Sequence, residues 1–260
     1  MGSAAVATAD ATLGRPVENP PLIALGTAAM PDAIDTPWPD TGSFTTPSGR
    51  TIRIDPADPL RGIDARESGQ HDRLLAVDLG ANGTAIPVVD HWRRGPDFTV
   101  VVEPADRRLL RATIMWRCGA AALGIDAWEA VVSAQTSLLD SDATLAVVSE
   151  CGAAEVHVGG EAGWTKASGG RLPAGATAML ARRATTSVLV AVHPADLRHV
   201  EVEIRDSVAR MRCLLFASAI EKGVLLRGRV LAAVGPRTGD EAWASPMLAA
   251  FAATPAPLST

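Results

Sequence analysis

Leu110-Arg111-Ala112-Thr113-Ile114-Met115-Trp116-Arg117 decides the fold. Leu110, Ala112, Ile114 and Trp116 fall on one side of an extended chain, with Arg111, Thr113 and Arg117 on the other. That period of two marks a strand with one face in a core and the other in water. His199-Val200-Glu201-Val202-Glu203-Ile204-Arg205 repeats it, Val200, Val202 and Ile204 opposing His199, Glu201, Glu203 and Arg205. Outward from these two, short apolar runs split by turn residues predict strands at 72–79, 85–91, 97–103, 109–118, 125–136, 143–150, 153–158, 177–183, 187–193, 199–205, 209–219 and 224–234. So many short strands at this spacing belong to a sandwich or barrel, and the near absence of helical-period segments between them excludes a βαβ fold. Asp240-Glu241 opens one predicted helix, continuing through Trp243, Met247, Leu248 and Phe251. Acidic residues at its start suit the helix dipole, while Pro246 sits where it would break or kink it. The expected fold class is all-β: a large antiparallel β-sandwich, or at this length a supersandwich, with one C-terminal helix.

The 260 residues suit one such domain, and a chain this long buries most of its apolar surface without disulfides or metals. Residues 1–59 read differently from 60–260: they hold nine of the 18 prolines and two aromatics, Trp38 and Phe44. Proline fixes φ and removes a donor, so the expectation is an extended N-terminal arm over 1–59 followed by the sandwich domain over 60–260. Within the arm, Thr46-Pro47-Ser48-Gly49-Arg50 reads as a turn before a short strand at Thr51–Asp55. Pro-Ala-Asp recurs at Pro56-Ala57-Asp58, Pro104-Ala105-Asp106 and Pro194-Ala195-Asp196, the latter two after apolar runs. Shared turn chemistry and an internal duplication both account for it. Gly80-Ala81-Asn82-Gly83 is first a hairpin turn, and Glu221-Lys222-Gly223 is expected to close a hairpin between 209–219 and 224–234 with Gly223 at positive φ.

The formal net charge of −5, without a basic stripe, argues against a nucleic-acid partner. No run of about 18 apolar residues predicts a membrane span, and no basic segment followed by an apolar core predicts a signal peptide. Cys118, Cys151 and Cys213 are odd in number and form no CxxC pair, so free thiols, no structural metal and a cytoplasmic location are expected.

Two blocks carry a resemblance. Asp90-His91-Trp92-Arg93-Arg94-Gly95, through Trp116-Arg117, to Ser133-Ala134-Gln135-Thr136-Ser137-Leu138-Leu139-Asp140-Ser141 is one; Ala219-Ile220-Glu221-Lys222-Gly223-Val224, with Arg227 and Arg229 following, is the other. They resemble stretches of uncharacterised bacterial mostly-β proteins, which imply no activity. At the level of fold, the chain is similar to galactose-mutarotase-like supersandwiches, although no mutarotase motif can be placed residue by residue.

GxSxG, HExxH, P-loop and dinucleotide signatures are absent, and no cofactor is expected. The most varied polar cluster is Asp90-His91-Trp92-Arg93-Arg94. An indole face beside bidentate polar groups suits a sugar, Trp92 stacking while Asp90 and Arg93 bond hydroxyls; the competing reading is a strand end with Trp92 in the core. Arg111, Arg117, Glu129, Ser133 and Gln135 fit one face of adjacent strands, as a ligand floor or a solvated surface. His193 and His199 flank a turn, where Asp196 or Glu201 would complete a metal site, or His193 caps the turn. Glu221 is a candidate general acid. The candidate ligand-binding residues are Asp90, His91, Trp92, Arg93, Arg117 and His193. The expected function is a non-enzymatic sandwich binding a carbohydrate-like or small polar ligand, or a protein partner. The alternative is a mutarotase-like or hydrolase-like enzyme using a His/carboxylate pair, which requires His91 or His193 beside Glu150, Asp90 or Glu221.

Overall fold

The computed structural model describes residues 43–255 except 47, 68–69, 81–85, 96, 107, 123, 142–143, 161–162, 168–174 and 217–219; Phe44, Glu67, Gln70, Ala120, Ala121, Ala122 and Asp140 are described by backbone alone. The chain is an all-β sandwich. Its strands are β1 (Ser43–Thr45), β2 (Thr51–Ile54), β3 (Ile63–Glu67), β4 (Gln70–Asp78), β5 (Val88–Arg94), β6 (Asp97–Val102), β7 (Arg111–Ala122), β8 (Ile125–Gln135), β9 (Asp140–Ser141), β10 (Leu145–Gly152), β11 (Glu155–Gly160), β12 (Gly163–Lys166), β13 (Ala178–Arg182), β14 (Thr186–Val192), β15 (His199–Arg205), β16 (Val208–Phe216), β17 (Ile220–Glu221) and β18 (Leu226–Pro236). Helix α1 spans Asp240–Ala253. A seven-stranded sheet runs β1-β2-β3-β4-β10-β16-β15, a nine-stranded sheet runs β12-β11-β13-β14-β18-β8-β7-β6-β5, and β17 pairs with β9 alone. Every pairing among the described residues is antiparallel.

The inward faces of both sheets form one core, which includes Ile52, Leu74, Phe98, Ile114, Trp116, Val147, Val190, Met211 and Val230. Trp116 is the pivot. It is 1% exposed, stacks on Phe98 with ring centroids 6.1 Å apart, and donates its indole N–H across the sandwich to Leu75 O at 3.1 Å. Buried ion pairs staple the layers at their ends. Arg183 on the nine-stranded side bonds Asp72 of β4 and donates from Nε to Gly152 O at 2.8 Å. Arg50 bonds Asp126 of β8, whose Oδ2 also accepts from Thr46 and Ser48.

Helix α1 lies on the outer face of the nine-stranded sheet. Ala244, Met247 and Phe251 fall on one side of it and bury against Leu189, Ala191, Leu231, Ala233, Ile125 and Ala127. Pro246 neither breaks nor ends it, and the helix runs seven residues further. The proline removes one internal hydrogen bond, and the buried side chains on either side hold the helix through it. Its N-terminus is fixed by Arg182, whose Nε and Nη2 meet Asp240 at 2.9 and 3.0 Å, while Ser187 donates to the same carboxylate at 2.7 Å.

Three expectations need correction. The strand expected at 85–91 is β5, Val88–Arg94, so the polar cluster lies within a strand rather than after one. Pairing with β6 continues to Arg94↔Asp97, which an edge strand permits because solvent reaches its side chains. Glu221-Lys222-Gly223 turns as expected, with Gly223 at φ 88°, but it closes no hairpin: β16 belongs to the seven-stranded sheet and β18 to the nine-stranded sheet. The sheet also begins earlier than the 60–260 boundary, since β1 and β2 lie within the stretch assigned to the arm. Residues 1–42, Trp38 among them, and Ala81-Asn82-Gly83 lie outside the described residues.

Candidate functional site

Past α1, the outer face of the nine-stranded sheet continues over β8, β7, β6 and β5. Register assembles its side chains into rows. Trp92 pairs with Thr99, Thr99 with Met115 and Met115 with Val131. On one side of that row Asp90 pairs with Val101, Val101 with Thr113 and Thr113 with Ser133. On the other, Arg117 pairs with Glu129 and lies 3.9 Å from Asp97, which itself pairs with Arg94. Arg111, Gln135 and Glu103 close the far end, Arg111 within 3.6 Å of Glu103. From Arg117 to Arg111 is six residues, about 20 Å of strand, and β8 to β5 spans roughly 14 Å across. Within it Thr99, Val101 and Val131 are buried, while Asp90, Trp92, Arg94, Arg111 and Gln135 are exposed.

The electrostatics concentrate on Arg117. Its Nη1 donates to Glu129 Oε2 at 3.1 Å, and Asp97 stands on its other side. Burial pushes the Glu129 carboxyl above its ordinary range, opposed by Arg117 and Arg229. Burial likewise raises Asp97, opposed by Arg117 and by the Cys118 backbone. Burial thus raises both carboxyls, and one guanidinium stands between them. Beside them Trp92 is 44% exposed, a large indole left in water. At the Arg111 end the face runs into an open groove of about 730 Å³ between Glu103, Leu109, Gln135, Ser137 and Lys222.

Strand parity divides the cluster expected around Trp92. Asp90 and Trp92 lie on the outer face, whereas His91 and Arg93 pair with the core residues Val100 and Phe98 and point to the opposite side. There the Arg93 guanidinium sits 5.4 Å from the centroid of the Phe98 ring, and His91 lies 6.4 Å from the same ring. The four residues therefore do not converge on one ligand, although Asp90, Trp92 and Arg117 share a face. Arg111, Glu129, Ser133 and Gln135 share it with them, as the alternation suggested.

His193 is elsewhere, on the far side of β18 and 6% exposed. Its Nδ1 accepts from Ala195 N at 3.2 Å, and its Nε2 lies 3.1 Å from Ala252 O, which makes Nε2 the protonated nitrogen. It ties the 3-10 turn Pro194–Asp196 to the end of α1 and caps that turn. His199 stands on β15 in the other sheet, 3.6 Å from Glu201, and the two histidines do not meet. Among the described residues no group of three or more His, Cys, Asp or Glu is placed to hold a metal ion. Glu150 lies between Arg73 and Arg210 on the seven-stranded sheet, and Glu221 is exposed on β17; neither has His91 or His193 beside it.

Asp97 and Glu103 escaped the sequence reading. The alternation around Phe98 places Asp97 on the outer side, but only register brings it to Arg117. A richer ionic cluster was also missed: His157 Nε2 lies 2.9 Å from Glu155 and 2.7 Å from Arg182, which itself reaches Glu241 at 2.6 Å. It braces the start of α1. No protein-family model matches the chain, and no curated protein matches it. No described helix is long and apolar enough to cross a membrane.

Proposed function

We propose that this chain binds a carbohydrate-like ligand on the outer face of its nine-stranded sheet, over β5 to β8. The observation that carries the reading is Trp92, an exposed indole in register with Thr99 and Met115 and flanked by Asp90 and by the Asp97–Arg117–Glu129 row. An indole face takes the C–H side of a sugar ring, and an Arg held between two carboxylates presents donors and acceptors to hydroxyls. His91 points to the opposite face of β5 from Asp90, and neither Glu150 nor Glu221 has His91 or His193 beside it, which favours binding over His/carboxylate catalysis. The unpaired Cys118, Cys151 and Cys213 support a cytoplasmic location.

A second reading rests on Glu129. A largely buried carboxyl on the same sheet face, raised by burial and opposed by Arg117, is suited to general-acid work, as in a carbohydrate-active enzyme of mutarotase-like or hydrolase-like type. A glycan array probed with the full chain tests the first reading. A defined set of glycans should be retained by the wild type and lost by Trp92→Ala. Equal retention by both, or retention of none, contradicts it. Turnover of a retained glycan, abolished by Glu129→Gln, would establish the second.

A further inference from the structure

The seven-stranded sheet turns its other face to water, and the side chains there alternate in charge. Glu203, Arg210, Glu150, Arg73, Asp64 and Arg53 face one another in register from β15 to β2. In the middle each charge is matched: Glu150 receives Arg73 at 2.6 Å and Arg210 at 3.2 Å. At the β2 end the balance fails. Arg53, Arg61, Arg66, Arg73 and His71 line a pocket of about 350 Å³ that holds only Asp55 and Asp64 as carboxylates. Asp64 is already shared, taking Arg66 through two bonds of 2.8 and 3.2 Å and lying 2.9 Å from His71 Nε2. Asp55 sits 3.5 Å from Arg53. The Arg61 guanidinium has no partner among the described residues.

The backbone builds this pocket. Pro59–Arg61 form a 3-10 turn that carries Arg61, and Gly62 at φ 75° ends it against β4. A Cβ at Gly62 would lie 2.4 Å from Leu74 O, so only glycine allows the approach. Where it lands, β4 bulges. Leu74 and Leu75 are both buried, Leu75 has φ 57°, and the pairing with β10 shifts between Val148 and Glu150. Two buried groups hold the bulge: Ser149 Oγ accepts from Leu75 N at 3.0 Å, and the Trp116 indole bonds Leu75 O. Bulges re-aim the side chains beside them, and this one sits next to Arg73.

We propose that the pocket is a binding site for a tetrahedral oxyanion, phosphate or sulfate, free or carried as an ester on a larger ligand. Guanidinium forks match such oxygens two at a time. Arg61 offers an unengaged fork, and Arg53 a second held only by its long contact to Asp55. The site stands on the sheet opposite the proposed carbohydrate face and does not depend on it. Titrating the full chain with inorganic phosphate at constant ionic strength, followed by arginine side-chain NMR and calorimetry, tests it. Saturable binding is expected, weakened about tenfold or more by Arg61→Gln, the loss of one charge-assisted contact. Arg205→Gln, at the far edge of the same sheet, should bind like the wild type. Sulfate should compete, and chloride at matched ionic strength should not. Equal competition by chloride, or unchanged affinity in both Arg61→Gln and Arg53→Gln, overturns the proposal.

Discussion

Two tryptophans on the same sheet, one strand apart, do opposite work. Trp116 fills the core and carries a hydrogen bond to the bulged Leu75, so Trp116→Ala removes packing and orphans a buried carbonyl. It should cost about 3–5 kcal/mol, a large part of a typical domain's roughly 5–15 kcal/mol. Trp92→Ala, on an exposed position, should cost less than about 1 kcal/mol; urea melts of the two variants decide. The three thiols make a second residue-scale prediction. Burial pushes Cys118, Cys151 and Cys213 up to about 12, so all three should resist a thiol reagent in the native protein at neutral pH and all react after denaturation. His193 gives a third. Burial, with Arg229 beside it, pushes it below its ordinary 6.5. The unfolded chain then takes up this proton first, so stability is intact above 6.5 and falls as pH drops from there toward the lower folded value. In His193→Gln the thermal midpoint should lose this part of its dependence between about pH 7 and 5. At this scale the sequence was most legible where parity is strict, as in β7. It misled at Asp90–Arg93, where four adjacent polar residues suggested one site and the same parity sends them to two faces.

Among the elements, α1 depends on a charge pair more than on its own propensity, since Pro246 sits in its interior. Asp240 is buried, and although burial works against the charge, Ser187 and Arg182 hold its carboxyl below the ordinary value. Asp240→Ala should therefore cost about 3 kcal/mol or more by leaving Arg182 buried without its bidentate partner. Glu241→Ala, at a half-exposed carboxylate on the same guanidinium, should cost about 1 kcal/mol or less. Urea melts followed by helical ellipticity measure both. The helix was visible in the sequence from Asp240-Glu241 and its apolar spacing. Its resting place was not, because the sheet residues that receive it, such as Ala127, Leu189 and Ala233, read as ordinary strand interior.

For the molecule as a whole, antiparallel layering follows from alternation, but strand neighbours do not. β10 and β11, or β4 and β5, follow each other in the chain and lie in different sheets, because such connections leave no mark on periodicity. Only β7 and β8, joined through Gly124, bring Arg117 and Glu129 together locally; Asp97 and Trp92 arrive through two further pairings. The two sheets also treat their outer faces differently. The seven-stranded one is a row of matched charges except at its β2 end, while the nine-stranded one is partly covered by α1 and elsewhere mixes an indole, apolar side chains and the Asp97–Arg117–Glu129 row. We propose this second surface as a ligand floor. Its most direct test is NMR of the ¹⁵N-labelled full chain against a panel of oligosaccharides, read at the six indole N–H signals. The Trp92 signal should shift with the amides of Thr99, Met115 and Arg117 while Trp116 and Trp128 stay still; a panel that moves none of them, or moves signals only on the seven-stranded sheet, contradicts the account.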